Sequence, residues 1–325
     1  MNILFTERDG QVGKPHVVAL FGFGVVGGAI FDHLTLRGFQ CVSTPPVSWG
    51  QRDAFSRDLH GIAHRLVELS GDDCRMSVVW AAGRAGFAAS SAEVELEMTS
   101  FELVVDMVAS LAANVTGLGR LAFFHVSSAG GLFEGQHNVG NASTPNPKRP
   151  YGVLKARQEA KLHLLPAAVA KRIYRPSSIY GYIEPQKRMG LIPTLIYNGA
   201  IRRVSHIFGD ISTLRDYVPA DDIGAFIASE VLATHPEASS RPIILAAGKP
   251  TSIFEIKKVI ESVIGHKMYT SYQLNQSNAQ DNSFLRCDLP KNWSSVGLVV
   301  GIRRVYHRWI EHGYLLPPPS RASVK

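Results

Sequence analysis

The chain has 325 residues, of which 45% are hydrophobic and 19% charged, a composition that excludes a disordered protein and is ordinary for a globular enzyme. Its three cysteines and twelve histidines show no spacing typical of metal ligands, so we predict no metal site. The net charge of +7 is concentrated between Lys148 and Arg215 and favours an anionic small-molecule substrate over nucleic acid, for which no binding motif is present.

Membrane association is also disfavoured by the sequence. The longest apolar stretch, residues 17–31, is interrupted by glycines and is too short to span a bilayer. Charged residues stand at positions 7–9, where a secretory signal peptide would need its apolar segment. We therefore expect a soluble, cytoplasmic protein.

The first half of the chain alternates short apolar segments with helical patterns, which is typical of a parallel sheet covered by helices on both faces. The predicted strands are residues 16–21, 40–43, 77–81, 121–127 and 172–175. The predicted helices are residues 25–37, 59–70, 93–113 and 151–170. Such sheets bind ligands at the carboxyl ends of their strands, and we expect the functional residues there.

A glycine-rich turn follows the first predicted strand. Gly22 permits a tight turn, Gly24 lets the backbone approach a pyrophosphate, and Gly27 lets the next helix pack closely on the sheet. That helix begins at Val25, so its free amide groups and positive dipole end face the phosphates. The spacing alone arises by chance in many chains, but here a strand precedes it and an amphipathic segment follows. The residues predicted to bind a dinucleotide are Gly22, Phe23, Gly24, Val25, Val26 and Gly27.

After residue 181 the alternation of strand and helix patterns ends. Frequent proline and glycine residues there predict loops and short helices. A helix at 221–233 and a strand at 242–246 then return to the sheet, and further helices are predicted at 253–264 and 302–312. The fold class is therefore α/β, a Rossmann-like doubly wound parallel sheet with a smaller C-terminal substrate-binding lobe. We assign 1–182 and 216–246 to the dinucleotide-binding domain, and 183–215 and 247–325 to the lobe.

The choice between NAD and NADP is left open by the second strand. An NAD-binding unit usually has Asp or Glu at the end of that strand to hold the ribose hydroxyls. Residues 40–46 contain no carboxylate. Arg52 is a candidate to reach a 2′-phosphate, although several residues intervene.

A tyrosine and a lysine mark the candidate catalytic helix. Tyr151 and Lys155 share one face of a helix, since they are four residues apart. A phenol with an ordinary pKa of about 10 is a poor base, and a nearby ammonium group stabilises its phenolate. Ser127 and Ser128 end an earlier strand, where a hydroxyl group can polarise a substrate carbonyl or alcohol. We predict Ser128, Tyr151 and Lys155 as the catalytic residues.

These motifs, in this order, resemble the extended short-chain dehydrogenase/reductase superfamily, in particular the NAD-dependent epimerase/dehydratase family that acts on nucleotide sugars. Residues 78–82 resemble the family's strand that ends in two alanines beside the cofactor, and Tyr151 and Lys155 match its catalytic pair. Residues 175–181 resemble the segment that leads from the sixth strand into the substrate site. Residues 209–222 resemble the family's Gly-Asp, Arg-Asp-Phe and Asp-Asp stretch.

The resemblance implies the remaining site residues. NAD or NADP would also contact Ala81, Ala82, Tyr151, Lys155 and Pro176. A nucleotide sugar would contact Ser127, Ser178 and Arg215, and the arginine would bind its diphosphate in a bidentate manner. Family members often dimerise through the helix that carries the tyrosine, so a homodimer is possible, and neither nucleic acid nor a membrane is expected as a partner.

The chain departs from the family pattern at several positions. Glu97 replaces a common asparagine of the fourth helix, and Ser178 and Gly190 stand where asparagines often touch the substrate. The stretch 275–282 lacks the family's second phosphate-binding arginine. The dehydratases of the family have an Asp-Glu pair after the catalytic hydroxyl, whereas Ala129 and Gly130 follow Ser128, which disfavours dehydration.

Three functions remain open at this point. The first is transient oxidation and epimerisation of a nucleotide sugar, with Tyr151 as the acid and base. The second is an NADPH-dependent reductase of a keto-sugar or another ketone, which the missing carboxylate and the missing arginine favour. The third is a non-catalytic dinucleotide-binding protein on the same fold, against which the Tyr151 and Lys155 pair argues.

Overall fold

The computed structural model describes residues 1–7, 14–70, 74–114, 120–233, 241–273 and 281–316. The strands are β1 (Asn2–Thr6), β2 (His16–Phe21), β3 (Gln40–Val42), β4 (Arg75–Trp80), β5 (Leu121–Val126), β6 (Val169–Pro176), β7 (Ser178–Tyr180), β8 (Ser205–Phe208), β9 (Leu214–Pro219), β10 (Ile243–Leu245), β11 (Pro250–Ser252) and β12 (Thr270–Gln273). The helices are α1 (Val25–Thr35), α2 (Arg52–Ser70), α3 (Ser91–Asn114), α4 (Ala129–Leu132), α5 (Pro150–His163), α6 (Leu191–Ala200), α7 (Ala220–Leu232), α8 (Ile253–Ile264) and α9 (Leu298–Glu311).

The chain forms two compact units. Unit 1 comprises Met1–Glu134, Asn141–Pro176 and Ile223–Leu245, and unit 2 comprises Gly135–Gly140, Ser177–Asp222 and Ala246–Lys325. These boundaries differ from the predicted ones at 135–140, 177–182, 216–222 and 246, all of which belong to unit 2. Strands β7 and β9 pair with each other and β9 pairs with β11, which keeps 177–182 and 216–222 together.

Unit 1 is built on a sheet with the strand order β10-β6-β5-β4-β2-β1-β3. The strands from β10 to β2 are parallel. Both faces of β2 are covered, since Val17 and Val18, which point to opposite faces, are fully buried. On one face of the sheet, apolar residues of α2, α3 and α5 form the core. On the other face, α1 and α7 approach each other closely at Ala29 and Gly224. The predicted fold class, a doubly wound α/β sheet, is confirmed.

The strand β1 is an addition that the sequence patterns did not predict. It pairs antiparallel with β2 on one side and with β3 on the other, and its Ile3 and Leu4 are fully buried. Strands β2 and β3 would be neighbours in a regular doubly wound unit. Here β3 is displaced from β2 by one further strand, a spacing of about 4.8 Å.

Several predicted elements need correction. Helix α2 begins at Arg52 rather than at residue 59, α9 at Leu298 rather than at residue 302, and β6 at Val169 rather than at residue 172. The helix expected over 151–170 ends at His163, because the chain turns at Pro166 and enters β6 at Val169. The region 183–215 contains a short helix as predicted, the ten-residue α6, but also the strand β8, which the pattern did not predict.

Unit 2 has its own core. Strands β11, β9 and β7 form one small sheet, and β12 and β8 form another. Helices α6, α8 and α9 bury a shared apolar cluster that includes Ile196, Ile256 and Trp309. Helix α8 begins with a capping box between Ser252 and Glu255. Among the described residues, no helix of either unit is long and apolar enough to cross a membrane.

The buried His16 makes the stability of the protein depend on pH. Its Nε2 lies 2.9 Å from the Ser77 hydroxyl, and burial, reinforced by the charge of Arg75, lowers the pKa of His16 to about 3. In the unfolded chain this pKa returns to about 6.5, so the unfolded state binds one more proton between pH 6.5 and pH 3. We expect the free energy of unfolding to fall on acidification across that window by about 1.4 kcal/mol per pH unit from this residue alone.

Urea unfolding at pH 7 and pH 5 tests this expectation. His16→Gln should lose about 2 kcal/mol less than the wild type between the two pH values. The exposed His60 provides the control, and His60→Gln should behave as the wild type does. An acid-induced loss that is the same in His16→Gln and the wild type would contradict the account.

Candidate functional site

The glycine turn between β2 and α1 is shaped by close backbone contacts. Gly22 has a φ of +98°, and a Cβ there would lie 2.4 Å from the Ala82 amide nitrogen. A Cβ on Gly27 would lie 2.2 Å from the Gly22 carbonyl oxygen. Any other residue at these two positions would force the turn apart. Gly24 differs, because a Cβ there would meet no atom within 4 Å, which leaves the space above the start of α1 open.

A cavity of about 430 Å³ opens over this turn at the carboxyl edge of the sheet. It is lined by the glycine turn, the end of β4 with the following loop, the segment before α2 and one face of α3. The lining residues are Gly22, Phe23, Gly24, Trp49, Gly50, Trp80, Ala81, Ala82, Gly83, Arg84, Glu93, Leu96, Glu97 and Ser100. The cavity therefore brings together five of the eleven residues that were predicted to hold a cofactor, three from the glycine turn and two that directly follow β4. The other six do not line it, namely Val25, Val26, Gly27, Tyr151, Lys155 and Pro176.

The chemistry of the cavity fits the pyrophosphate of a dinucleotide. Gly24 caps α1 without a side-chain hydrogen bond, and the first turn of α1 contains no acidic residue. The free amide groups and the dipole of α1 are thus available to an anion. The volume lies within the range that cofactor sites occupy.

A second cavity of about 520 Å³ lies beside the loop that follows β3. Arg57 and Arg65 of α2 line it together with Ser43 and Thr44. Arg52, the residue suggested for a 2′-phosphate, starts α2 and lines neither of the two cavities. The sequence alone therefore did not show that Arg57 and Arg65, rather than Arg52, line a cavity.

Tyr151 is held by the elements around the start of α5. Its ring packs against Gly131 of α4, where an added Cβ would lie 3.0 Å from the ring, and it is 5.7 Å from the ring of Phe87. Arg149, the residue before the helix, donates from Nε to both carboxylate oxygens of Glu134, at 2.9 and 3.1 Å. This ion pair, which no local sequence pattern predicts, anchors the chain immediately before the tyrosine.

Lys155 is deeply buried and already has partners. Only 4% of the residue is exposed, and its Nζ donates to Glu97 Oε1 at 3.2 Å and to Gln158 Oε1 at 3.0 Å. The same Nζ lies 5.7 Å from the centre of the Tyr151 ring. Burial, with a smaller effect of Lys155, holds the pKa of the neighbouring His125 well below its usual range, so this imidazole adds no charge near neutral pH. Glu97 both binds Lys155 and lines the cavity. The only sign of this residue in the sequence was that it replaces an asparagine common in the family.

The paired serines have different surroundings. Ser127 is 3% exposed and its hydroxyl donates to Glu159 Oε1 at 2.5 Å. Arg175 donates to the same carboxylate, at 2.9 and 2.6 Å, so Ser127 is part of a buried ion-pair cluster. Ser128 caps α4, where its Oγ accepts a hydrogen bond from the Gly131 amide at 3.1 Å. Because this bond uses the oxygen only as an acceptor, the Ser128 hydroxyl can still donate.

In unit 2, Arg215 lies on β9, between β11 and β7. The next residue, Asp216, is fully buried and accepts hydrogen bonds from the Ser177 hydroxyl at 2.6 Å and the Ala247 amide at 2.8 Å. Burial raises the pKa of the Asp216 carboxyl, although these donors oppose the effect. Since neighbouring side chains of a strand point to opposite faces, Asp216 fixes the strand and Arg215 projects from its other face, where it is half-buried.

The remaining predicted residues lie at the ends of two strands. Pro176 is buried at the end of β6 in unit 1, and Ser178 is half-buried at the start of β7 in unit 2. Within the stretch that lacks a second arginine, residues 275–280 lie outside the described residues.

A sequence profile of the NAD dependent epimerase/dehydratase family matches residues 24–247. The chain is similar to a UDP-glucose 4-epimerase of Mycolicibacterium smegmatis, with 22% identity over 261 residues that span 74% of this chain and 80% of that protein.

Two solved structures show the same fold. One is a UDP-glucose 4-epimerase of Thermotoga maritima with UDP-glucose, which has a TM-score of 0.72 and 18% identity over 91% of this chain and 99% of that one. The other is a UDP-glucuronic acid 4-epimerase of Bacillus cereus with UDP-glucuronic acid and NAD, which has a TM-score of 0.63 and 19% identity over 78% of this chain and 79% of that one.

The packing of Gly152 generates a prediction for stability. A Cβ at this position would lie 2.2 Å from the Gly131 carbonyl oxygen and 2.8 Å from the Pro147 Cβ. Gly152→Ala should therefore push α5 away from α4 and destabilise the protein by about 1–3 kcal/mol. In an unhindered helix the same change stabilises, by about 0.5–1 kcal/mol.

Gly61 supplies the matched control, since it lies within α2 and a Cβ there would meet nothing within 4 Å. Chemical denaturation should show opposite signs for Gly61→Ala and Gly152→Ala. Equal effects of the two substitutions would refute the close approach of α4 and α5.

Proposed function

The chain belongs to the NAD dependent epimerase/dehydratase family, and on this premise we propose that it binds NAD or NADP and transfers a hydride at a sugar carbon of a nucleotide sugar, with Tyr151 as the acid and base. The family predicted from the sequence motifs is confirmed by the profile match. The observation that carries the proposal is Glu97, which joins the cavity over the glycine turn to the Lys155 and Tyr151 helix.

The cofactor would lie in the unit 1 cavity. The amide groups at the start of α1 would hold its pyrophosphate over Gly24, while Ala81 and Ala82 would form the wall beside it. Pro176, the last residue of β6, is proposed as a further contact to the cofactor. When bound, the cofactor would supply its nicotinamide as the acceptor and donor of the hydride.

The proton would move through the tyrosine hydroxyl. As the hydride leaves, Tyr151 takes the proton of the sugar hydroxyl, and it gives the proton back when the carbonyl is reduced. Ser128 would donate its free hydrogen to the same sugar oxygen, since its own oxygen is already satisfied by Gly131. Lys155 would place a positive charge beside the phenol ring, 5.7 Å from its centre, and favour the phenolate.

The substrate is proposed to be a nucleoside diphosphate sugar. Arg215 projects from β9 and carries the planar guanidinium that suits a diphosphate. The excess of basic residues between Lys148 and Arg215 favours an anionic ligand of this kind. Support also comes from the similar structures, which contain UDP-glucose or UDP-glucuronic acid. Ser178, and Ser127 within its ion-pair cluster, are retained as proposed substrate contacts.

Epimerisation is favoured over dehydration. Elimination of water needs further acid and base groups after the catalytic hydroxyl, and Ala129 and Gly130 occupy those positions in the buried start of α4. The keto intermediate would then be reduced on its other face, which inverts the carbon.

A keto-sugar or ketone reductase that uses NADPH is the second candidate. The second predicted strand and the residues after it favour this candidate, because residues 40–46 contain no carboxylate to hold the ribose hydroxyls of NAD. Arg57 and Arg65 line the second cavity and, with one carboxylate there from Asp58, leave it an excess of positive charge.

Replacement of the tyrosine hydroxyl tests the proposal. Tyr151→Phe should lower kcat by about 10²–10⁴-fold, because the proton relay is lost, while the affinity for cofactor changes little. Steady-state kinetics with nucleotide sugars and a cofactor titration provide the two measurements. Tyr174→Phe is the matched control, since this buried hydroxyl has no hydrogen-bond partner in the described part of the chain and its loss should leave kcat unchanged. Retained turnover in Tyr151→Phe would remove Tyr151 from the mechanism.

A further inference from the structure

Phe87 is an apolar residue beside the proposed catalytic tyrosine, and the sequence motifs assigned no role to it. It lies in the loop between β4 and α3 and is half-buried. Its ring centre is 5.7 Å from that of Tyr151, and the two ring planes are inclined by 37°. Phe87 lines neither the cavity over the glycine turn nor the second cavity, so the proposed pyrophosphate site does not account for it.

The Phe87 ring is held by a charged group as well as by the tyrosine. The guanidinium carbon of Arg149 lies 5.3 Å from the centre of the ring, within the range of a cation–π contact. Arg149 is itself oriented, because its Nε donates to both carboxylate oxygens of Glu134. The guanidinium group and the Tyr151 ring together fix the position of Phe87.

The ring also covers the backbone of α4 at Gly130. A Cβ built on Gly130 would lie 3.8 Å from Phe87 Cζ and 3.9 Å from Ser128 Oγ, both of which are ordinary van der Waals distances. A side chain at position 130 would thus project into the space between the ring and the serine hydroxyl. The space next to the Ser128 hydroxyl is therefore bordered by an apolar ring.

These contacts place Phe87 next to the carbon that would be oxidised. The sugar oxygen must lie within hydrogen-bond reach of the Ser128 and Tyr151 hydroxyl groups, and Phe87 borders both residues. Oxidation produces a ketone, and the hydrogens on the carbons beside a ketone are acidic. A base or a water molecule at this point would remove such a hydrogen as a proton and scramble a second stereocentre. An aromatic ring supplies no base and excludes water.

We propose that Phe87 shields a carbon next to the transient ketone from bases and water, so that only the oxidised carbon is inverted. The inference rests on the proposed function, in which Tyr151 and Ser128 bind the reacting oxygen. A sugar hydroxyl against this ring would be buried without a hydrogen-bond partner, whereas carbon-bound hydrogens pack on an aromatic ring without that cost. Phe87 thus also selects sugars that present carbon-bound hydrogen on this side.

Product formation in D₂O tests the shielding. Each protein converts a nucleotide sugar in D₂O, the product is returned to H₂O so that its hydroxyl groups lose deuterium, and mass spectrometry measures the deuterium bound to carbon. The wild type and Phe87→Leu should give products without such deuterium, because the returned hydride came from the sugar itself. Phe87→Glu places a carboxylate beside the ketone. This carboxylate takes the neighbouring hydrogen as a proton, the electron pair of the C–H bond forms the enolate, and a deuteron from the solvent then bonds to the carbon.

Phe87→Gln is the matched control, since it removes the same ring and adds a side chain of nearly the same shape that is not a base. Carbon-bound deuterium should be about 10²-fold higher with Phe87→Glu than with Phe87→Gln, the effect of one positioned base. Equal incorporation by these two variants would overturn the inference. Carbon-bound deuterium in the wild-type product would overturn it as well.

A measurement on the wild type keeps the test independent of how the variants fold. A 4-keto nucleotide sugar is mixed in D₂O with NAD⁺ or NADP⁺ and an excess of the protein, so that the ketone is bound but is not reduced. On one of the two carbons beside the ketone, the hydrogen should exchange several-fold more slowly than it does in the free ketone. If both positions of the bound ketone exchange at the free rate or faster, the shielding is refuted. A wild type that neither binds the ketone nor converts a sugar would instead overturn the proposed function.

Discussion

The candidate site depends on backbone segments that approach one another more closely than any side chain permits. Gly22 and Gly27 close the turn after β2 against Ala82 and against each other. Gly152 lets the start of α5 rest on the Gly131 carbonyl of α4, and Gly131 in turn leaves room for the Tyr151 ring. The first set of contacts opens the space above α1, and the second sets the position of the tyrosine. Both sets are steric constraints, so they act whether or not a ligand is present.

Three largely buried ion pairs of unit 1 lie beside predicted site residues. Lys155 is matched by Glu97, Arg175 by Glu159 and Arg149 by Glu134. Each pair connects a predicted site residue to a neighbouring element. Lys155 is connected to α3, Ser127 to α5, and the chain before Tyr151 to the segment after α4. An unpaired charge at this depth would be strongly unfavourable, so the pairs hold these side chains in single orientations.

Much of this architecture could be predicted from local sequence patterns. The β2, α1 and glycine-turn unit follows from an apolar run, three glycines and an amphipathic segment, and α8 from its apolar periodicity between residues 253 and 264. The strand β1 could not, because residues 2–6 carry no turn or crossover signal and their place is decided by pairing with both β2 and β3. The end of α5 was predicted at residue 170, because residues 164–170 are apolar and were read as part of the helix, whereas the helix ends at His163 and the chain turns at Pro166 into β6.

The difference between the two serines also lay beyond the sequence, because it depends on Glu159, which is 32 residues distant. Glu97 is an intermediate case. Its departure from the family pattern was visible, but its contact with Lys155 joins α3 to α5 and emerges only in the folded chain. Site chemistry of this kind depends on side chains from separate elements, whereas turns and helices depend on neighbours in sequence.

The central claim is that this chain interconverts nucleotide sugars through a transient keto form. The most direct measurement is chromatography with mass spectrometry of the products after the wild-type protein is mixed with NAD(H) or NADP(H), a panel of nucleotide sugars and their 4-keto forms. The account predicts a product that is shifted in chromatography and unchanged in mass. Loss of water would contradict the argument drawn from Ala129 and Gly130, and a gain of two hydrogens from a keto form alone would replace epimerisation by reduction. No conversion across the panel would contradict the central claim.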